Sequence, residues 1–299
     1  MTTVRIAVPR KGRPLEAVLE RIATRTGQTV PADEIVSTLR YEKAVAKGTQ
    51  TVDSTVYDRI GRYSDPTDPT APEFSLLRDD RESMPRRIVF DSVTIPTESV
   101  DVQLIGREEP FRALRKHEFA LGFDSADLVL EEVVRLDPEP LTDTTALNER
   151  IDPRDTDVRV STGLGDTVYH TLLATPAVAR SLGGALNRDA LAAYDGALCL
   201  SARYERLVEA VLGTQTTTDI DFVHPDRDRT EEAAIAETGL GVYLTVSGST
   251  AREHGLVVGE QLFPSETVLL ENVAETRPAV EGVVDLITGA VADTALAVS

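Results

Sequence analysis

The chain opens with Val4-Arg5-Ile6-Ala7-Val8-Pro9, a short run rich in β-branched residues that reads as a buried strand. Lys11-Gly12-Arg13 forms a turn, and Pro14 suits the start of a helix. Leu15, Val18, Leu19 and Ile22 then recur at helical spacing, and Gly27 ends the run. A strand leading directly into a helix must bury one face of each against a shared layer, so this unit restricts the chain to layered α/β architectures. The alternation returns. Strands are expected at 87–90, 100–105, 120–123, 158–160, 168–174, 197–201, 220–223, 241–246 and 267–270. Helices are expected at 112–119, 176–182, 204–212, 230–237, 250–255 and 278–291, while 128–134 reads as either. The expected class is α/β with mixed or parallel sheets, and no internal repeat is visible.

Residues 33–86 break the pattern. They are rich in Asp, Pro, Ser, Thr and Arg and include Ser64-Asp65-Pro66-Thr67-Asp68-Pro69. They read as an exposed insertion with a flexible tip. Residues 137–157 form a second Pro/Asp-rich connector.

Charge narrows the function classes. There are 50 acidic residues against 31 basic, a net charge of −19. Lysine occurs only at 11, 43, 47 and 116, and the other basic residues are arginine. Acids spread along the whole chain fit a protein adapted to concentrated salt. They argue against binding a nucleic-acid backbone, which needs clustered Lys and Arg. With no apolar run of membrane-spanning length and no export signal, a cytoplasmic location away from membranes is expected. The one cysteine, Cys199, lies in an apolar run and reads as a core residue. The four histidines, 117, 170, 224 and 254, show no metal-ligand spacing, so no protein-held metal site is expected.

Two segments carry binding chemistry. Ser247-Gly248-Ser249-Thr250 lies between an expected strand ending near Thr245 and an expected helix. Small hydroxyl and glycine residues there expose backbone N–H groups to a phosphate, or form an ordinary capped turn. Lys11-Gly12-Arg13 lies at the C-terminal end of the first strand, where ligands sit in open α/β sheets. It reads as a polyphosphate contact or as a solvated turn. Ser161–Thr167 lacks the third glycine of a dinucleotide fingerprint and reads as a loop.

Several segments, in order, resemble the ATP phosphoribosyltransferases, the first enzyme of histidine synthesis. Ile6–Arg13 resembles the A-x-P-x-K-G-R signature, Leu104–Arg107 the strand carrying the family's Arg, and Leu121–Asp127 its L-G-I-T-G-x-D. Residues 172–176, 200–204 and 269–272 resemble further family strands, and Thr245–Thr250 resembles the D-I-V-S-T-G-T-T phosphate loop. The resemblance implies a two-lobed type II periplasmic-binding-protein-like fold with mixed sheets and a central cleft. Lobe I would span 1–165 with the inserted 33–86, lobe II 166–257, and 258–299 would return to lobe I.

The resemblance also implies ligands and residues. Phosphoribosyl pyrophosphate (PRPP), a nucleotide such as ATP, and Mg²⁺ would bind. Lys11, Arg13 and Arg107 would face the pyrophosphate, and Thr245, Ser247, Gly248, Ser249 and Thr250 the 5′-phosphate. Asp124, Asp127, Glu231 and Tyr243 would surround the ribose or nucleotide. A homo-oligomer or a regulatory subunit would be the protein partner. Two departures matter: the family carries aspartates at the positions of Gly239 and Tyr243. An active transferase and a non-catalytic phosphate- or nucleotide-binding paralogue therefore both stay open.

Overall fold

A computed structural model describes residues 2–65, 67, 68, 70–78, 86–142, 146–226 and 230–289. The chain forms two units. The first comprises Met1–Asp124, Asp157–Asp166 and Thr267–Ser299; the second comprises Ser125–Thr156 and Thr167–Glu266. Elements are numbered in chain order across both.

The first unit holds β1 (Thr3–Pro9), α1 (Gly12–Thr26), α2 (Thr29–Ala46), α3 (Val56–Tyr63), β2 (Glu73–Arg78), β3 (Arg86–Pro96), β4 (Asp101–Arg107), α4 (Pro110–Arg115) and β5 (Leu121–Ser125). It is completed by β6 (Val158–Gly163), β12 (Thr267–Asn272) and α12 (Pro278–Thr288). Its seven strands run β2-β3-β4-β1-β5-β12-β6. β1 is parallel to β4 and β5, while β2/β3, β3/β4 and β12/β6 are antiparallel, so the sheet is mixed. Ile6 and Val8 of β1 pack with Leu15, Val18 and Ile22 of α1 and with Val283 and Ile287 of α12, all buried. The helical spacing read from α1 thus marks its buried stripe, and Gly27 closes it in the left-handed conformation at φ 72°.

Residues 33–86 correct the expectation of an exposed insertion. α2 and α3 are ordered helices, and β2 joins the sheet beside β3. The two helices are clamped by a buried ion pair. Arg59 donates from Nε and Nη2 to the two Glu42 oxygens at 2.7 and 3.0 Å. The Tyr63 hydroxyl donates to Glu42 at 2.8 Å, and Arg59 Nη1 donates to the Ser54 carbonyl at 2.8 Å. Burial, then Glu42, pushes the Tyr63 phenol up to about 12. A capping box at Thr55 and Asp58 starts α3. In the expected flexible tip, Asp65 and Asp68 accept from Thr67 and Thr70, while Pro66 and Pro69 lie outside the described residues.

The second unit holds α5 (Ala126–Val133), β7 (Val168–Ala174), α6 (Pro176–Ser181), α7 (Arg188–Leu191), β8 (Ala197–Cys199) and α8 (Glu205–Leu212). α9 (Thr214–Thr217), β9 (Asp221–Val223), α10 (Glu231–Thr238), β10 (Leu240–Thr245), α11 (Ser249–Glu253) and β11 (Val257–Ser265) follow. Its strands run β11-β7-β10-β8-β9. β10, β8 and β9 are parallel, and β7 is antiparallel to β10 and β11, so this sheet is mixed too. β11 corrects the expected return to the first lobe at 258: it pairs with β7, and the second unit extends to Glu266. Cys199 is buried in this sheet, and burial pushes its thiol up. No helix among the described residues is long and apolar enough to cross a membrane.

Candidate functional site

In the second unit the expected phosphate loop leaves the sheet at the end of β10. Gly248 adopts φ 67°, ψ 17°, and a Cβ there would lie 2.8 Å from the Val258 Cγ2. Both the left-handed backbone and the close approach to β11 require glycine. Ser247, Ser249 and Thr250 are exposed around it. The Ser249 N–H donates to the Ser247 hydroxyl at 3.4 Å, and the two hydroxyls are 3.2 Å apart. Arg252 Nη1 donates to the Ser247 carbonyl at 2.9 Å, bringing an exposed guanidinium to the loop. Thr245 differs from its neighbours. It is buried, and its hydroxyl lies 2.6 Å from that of Thr171 on β7. Its oxygen is a strand-to-strand contact rather than part of the exposed loop.

Tyr243 sits opposite Thr171 in the β10/β7 pairing and is half-buried. Burial, then the charges of Glu231 and Glu232, pushes its hydroxyl up. Glu231 begins α10, where Thr230 caps the helix by accepting from the Ala233 N–H. Acids in the first turn of a helix are stabilised by its dipole.

A buried polar group lies nearby in the same unit. Asp127, in the first turn of α5, is 2% exposed, as is His170 on β7. The Asp127 Oδ2 is 3.3 Å from His170 Nε2. The His170 ring meets Tyr204 edge-on, with centroids 4.7 Å apart. Burial, then the charge of Asp127, pushes the Tyr204 phenol up to about 12. The other carboxylate oxygen, Oδ1, is buried and accepts no hydrogen bond among the described residues. His170 and Tyr204 are far from Asp127 in sequence, and no spacing marks them; only the fold brings the three together.

The expected residues of the first unit are all engaged. Lys11 Nζ lies 3.6 Å from Glu108. Arg13 pairs with Asp166 at 2.7 Å, and Asp166 also accepts from the backbone N–H and hydroxyl of Thr267. Arg107 lies 3.9 Å from Glu118, with its guanidinium 5.0 Å above the Phe119 ring. Asp124 is buried, and its carboxylate accepts from the Phe111 N–H at 3.1 Å, a cap on α4. That helix rests on Gly122, where a Cβ would fall 2.5 Å from Leu114. Asp124 therefore holds α4 on β5.

A family model described as halobacterial ATP phosphoribosyltransferase matches residues 1–298. The chain belongs to this family. The family is one of phosphoribosyltransferases of histidine biosynthesis. A search of curated proteins finds no match. Among solved structures, the chain is similar to the ATP phosphoribosyl transferase (HisG:HisZ) complex from Thermotoga maritima. That match has 12% identity and a TM-score of 0.43, and covers 96% of this chain and 97% of the other. It is also similar to the ancestral amino acid-binding protein AncCDT-1, a precursor of cyclohexadienyl dehydratase, at 10% identity and a TM-score of 0.36. There the coverage is 64% and 73%. The regulatory domain of MetR, a LysR family regulator from N. meningitidis, matches at 8% identity and a TM-score of 0.36, over 96% and 92%.

For the Mg²⁺ expected from the resemblance, the described residues do not build a site of their own. No three His, Cys, Asp or Glu side chains gather to hold a metal among the described residues. The orphaned Asp127 Oδ1 is single and buried, and its sister oxygen Oδ2 lies against an imidazole, which is a poor match for a hydrated, octahedral ion.

Proposed function

We propose that this chain is a phosphoribosyltransferase that binds PRPP through the loop at 247–250 and uses ATP as acceptor. The observation that carries the reading is the loop itself. Gly248 is left-handed and wedged on Val258, so it turns the chain while Ser247, Ser249 and Thr250 stay exposed around it. Successive N–H groups and hydroxyls there suit the three oxygens of a 5′-phosphate. Arg252 adds charge beside them.

Transfer forms a bond from the acceptor to ribose C1 as the C1–O bond to pyrophosphate breaks. The leaving group is a polyanion, so catalysis rests on positioning and charge rather than on a covalent nucleophile. Lys11, Arg13 and Arg107 are the cations offered to it. Their present partners rank how readily each can turn to a ligand. The Lys11–Glu108 pair is long and half-exposed, and such pairs contribute about 0–1 kcal/mol. Arg13 is held at 2.7 Å by an Asp166 that Thr267 fixes in turn. Arg107 is held no more tightly, at 3.9 Å from an exposed Glu118, so Lys11 and Arg107 are more easily re-paired than Arg13.

A non-catalytic paralogue is the second reading, and Gly239 and Tyr243 favour it. Gly239, at φ 103°, ends α10 with its N–H on the Ile235 carbonyl and brings no side chain. Tyr243 offers a neutral phenol where the family carries an acid. A regulatory subunit or a second copy would accompany either reading.

Titrating PRPP, ATP and Mg²⁺ in molar KCl while following pyrophosphate release separates the two. Release with ATP supports the transferase, and PRPP binding without release supports the paralogue. Ser249→Asp places a carboxylate against the phosphate and should abolish PRPP binding; unchanged affinity would refute the loop assignment.

A further inference from the structure

Within the first unit, α1, α2, α3 and β3 enclose a cavity of about 760 Å³. This is the size of a small-molecule site. Leu15, Leu19 and Ile88 lie buried beneath it, and Val36 and Leu39 of α2, only partly buried, give it an apolar wall. The rim is basic. Lys11, Arg40, Lys43, Arg59, Arg86 and Arg87 line it against two carboxylates, Glu16 and Glu42.

Both carboxylates already have partners: Glu16 takes Arg40 at 2.6 Å, and Glu42 takes Arg59. Lys43 has no carboxylate partner among the described residues. The Arg86 guanidinium lies 5.7 Å from the centroid of Tyr57, whose ring is exposed. A chain of net −19 with four lysines places two of them around one apolar cavity. The surface as a whole repels anions, so this local excess of positive charge selects for one.

We propose that this cavity binds a small organic anion with a ring-sized apolar body. The body would lie on Val36 and Leu39 beside the Tyr57 ring. The anionic group would meet Lys43 and Arg86. The assignment goes beyond the phosphoribosyltransferase reading and does not rest on it. Lys11 is the one residue common to both, and the test leaves it unchanged.

The probe is 8-anilinonaphthalene-1-sulfonate, a fused ring with one sulfonate, titrated calorimetrically into the full chain in molar KCl. Inorganic phosphate serves as a competitor. One saturable site per chain is expected. Lys43→Glu, an exposed reversal, and Ala46→Trp, which fills the cavity from the end of α2, should each weaken binding at least about tenfold. Millimolar phosphate should not compete, and Ser249→Asp should leave binding unchanged. Absence of saturable binding, or Lys43→Glu binding as tightly as the parent, overturns the proposal. So does displacement by phosphate. Loss of binding in Ser249→Asp would also overturn it, by seating the probe at the 247–250 loop, and would leave that loop's own assignment standing. If Ala46→Trp does not fold, Lys43→Glu decides alone.

Discussion

Each unit buries one carboxylate beside a tyrosine, and the two are served very differently. Glu42, in the first unit, accepts two hydrogen bonds from Arg59 and one from Tyr63, so both of its oxygens are satisfied. Asp127, in the second, shares one oxygen with His170 and, among the described residues, leaves the other without a donor. An unsatisfied buried acceptor costs about 1–3 kcal/mol, and more when charged. The chain retains such a group in one place and avoids it in the other. We read Glu42 as a clamp whose whole capacity is used in holding α2 to α3. Asp127 keeps capacity in reserve, as a group does when a ligand completes it.

The contrast breaks if Glu42→Ala is mild. That change leaves Arg59 buried and unpaired, so unfolding in guanidinium should show a loss of about 3–5 kcal/mol. Replacing both Glu42 and Arg59 with Met should recover most of it, because the cost lies in the orphaned charge. Asp127→Asn tests the other side. The amide keeps the shape, so stability should change by less than about 1 kcal/mol, and pyrophosphate release should fall roughly 100-fold. A stability loss as large as that of Glu42→Ala would make Asp127 a clamp as well.

Gly248→Ala comes next. The left-handed backbone and the Val258 contact should cost about 1–2 kcal/mol and weaken PRPP binding; thermal melts with and without PRPP would read both. The smallest effect concerns pH. Tyr63 and Tyr204 are both pushed up to about 12 from an ordinary 10. The unfolded chain therefore loses these protons first, and folding holds them between pH 10 and about 12. Stability should be full below pH 10 and fall as pH rises through that window. Tyr63→Phe and Tyr204→Phe should each flatten the fall in melts at pH 9, 10 and 11.

Local pattern made much of the fold readable. The β1–turn–α1 unit, the left-handed Gly27 and the β10–loop–α11 passage all follow from residues adjacent in sequence. The 33–86 segment was misleading because its surface composition is that of a loop. What orders it is packing of Ile35, Ile60 and Phe74 on the core together with a charged pair 17 positions apart, which carries no periodic signature. β11 hides for another reason. Gly259 and Pro264 interrupt it, and a strand at the sheet's edge tolerates both, with register shifts against β7. In the candidate site, Ser247, Ser249 and Thr250 were legible from spacing. That the Asp124 and Thr245 oxygens are engaged by Phe111 and Thr171 shows only in the fold. His170, Tyr204 and the α1–α2 cavity depend on contacts made across the fold.

The chain crosses between the two units four times, at 124/125, 156/157, 166/167 and 266/267. Neither unit is a continuous stretch of polypeptide. A fragment ending at 156 lacks β6 and β12, two of the seven strands of its own sheet. No single cut of the gene yields a self-sufficient half, and ribosomal synthesis cannot finish the first unit until the last strand, Thr267–Asn272, has emerged. Nascent chains must hold an open sheet edge through most of translation. The burden falls on whatever shields that edge in the meantime, and the acidic residues spread along the growing chain are well suited to keep such intermediates apart.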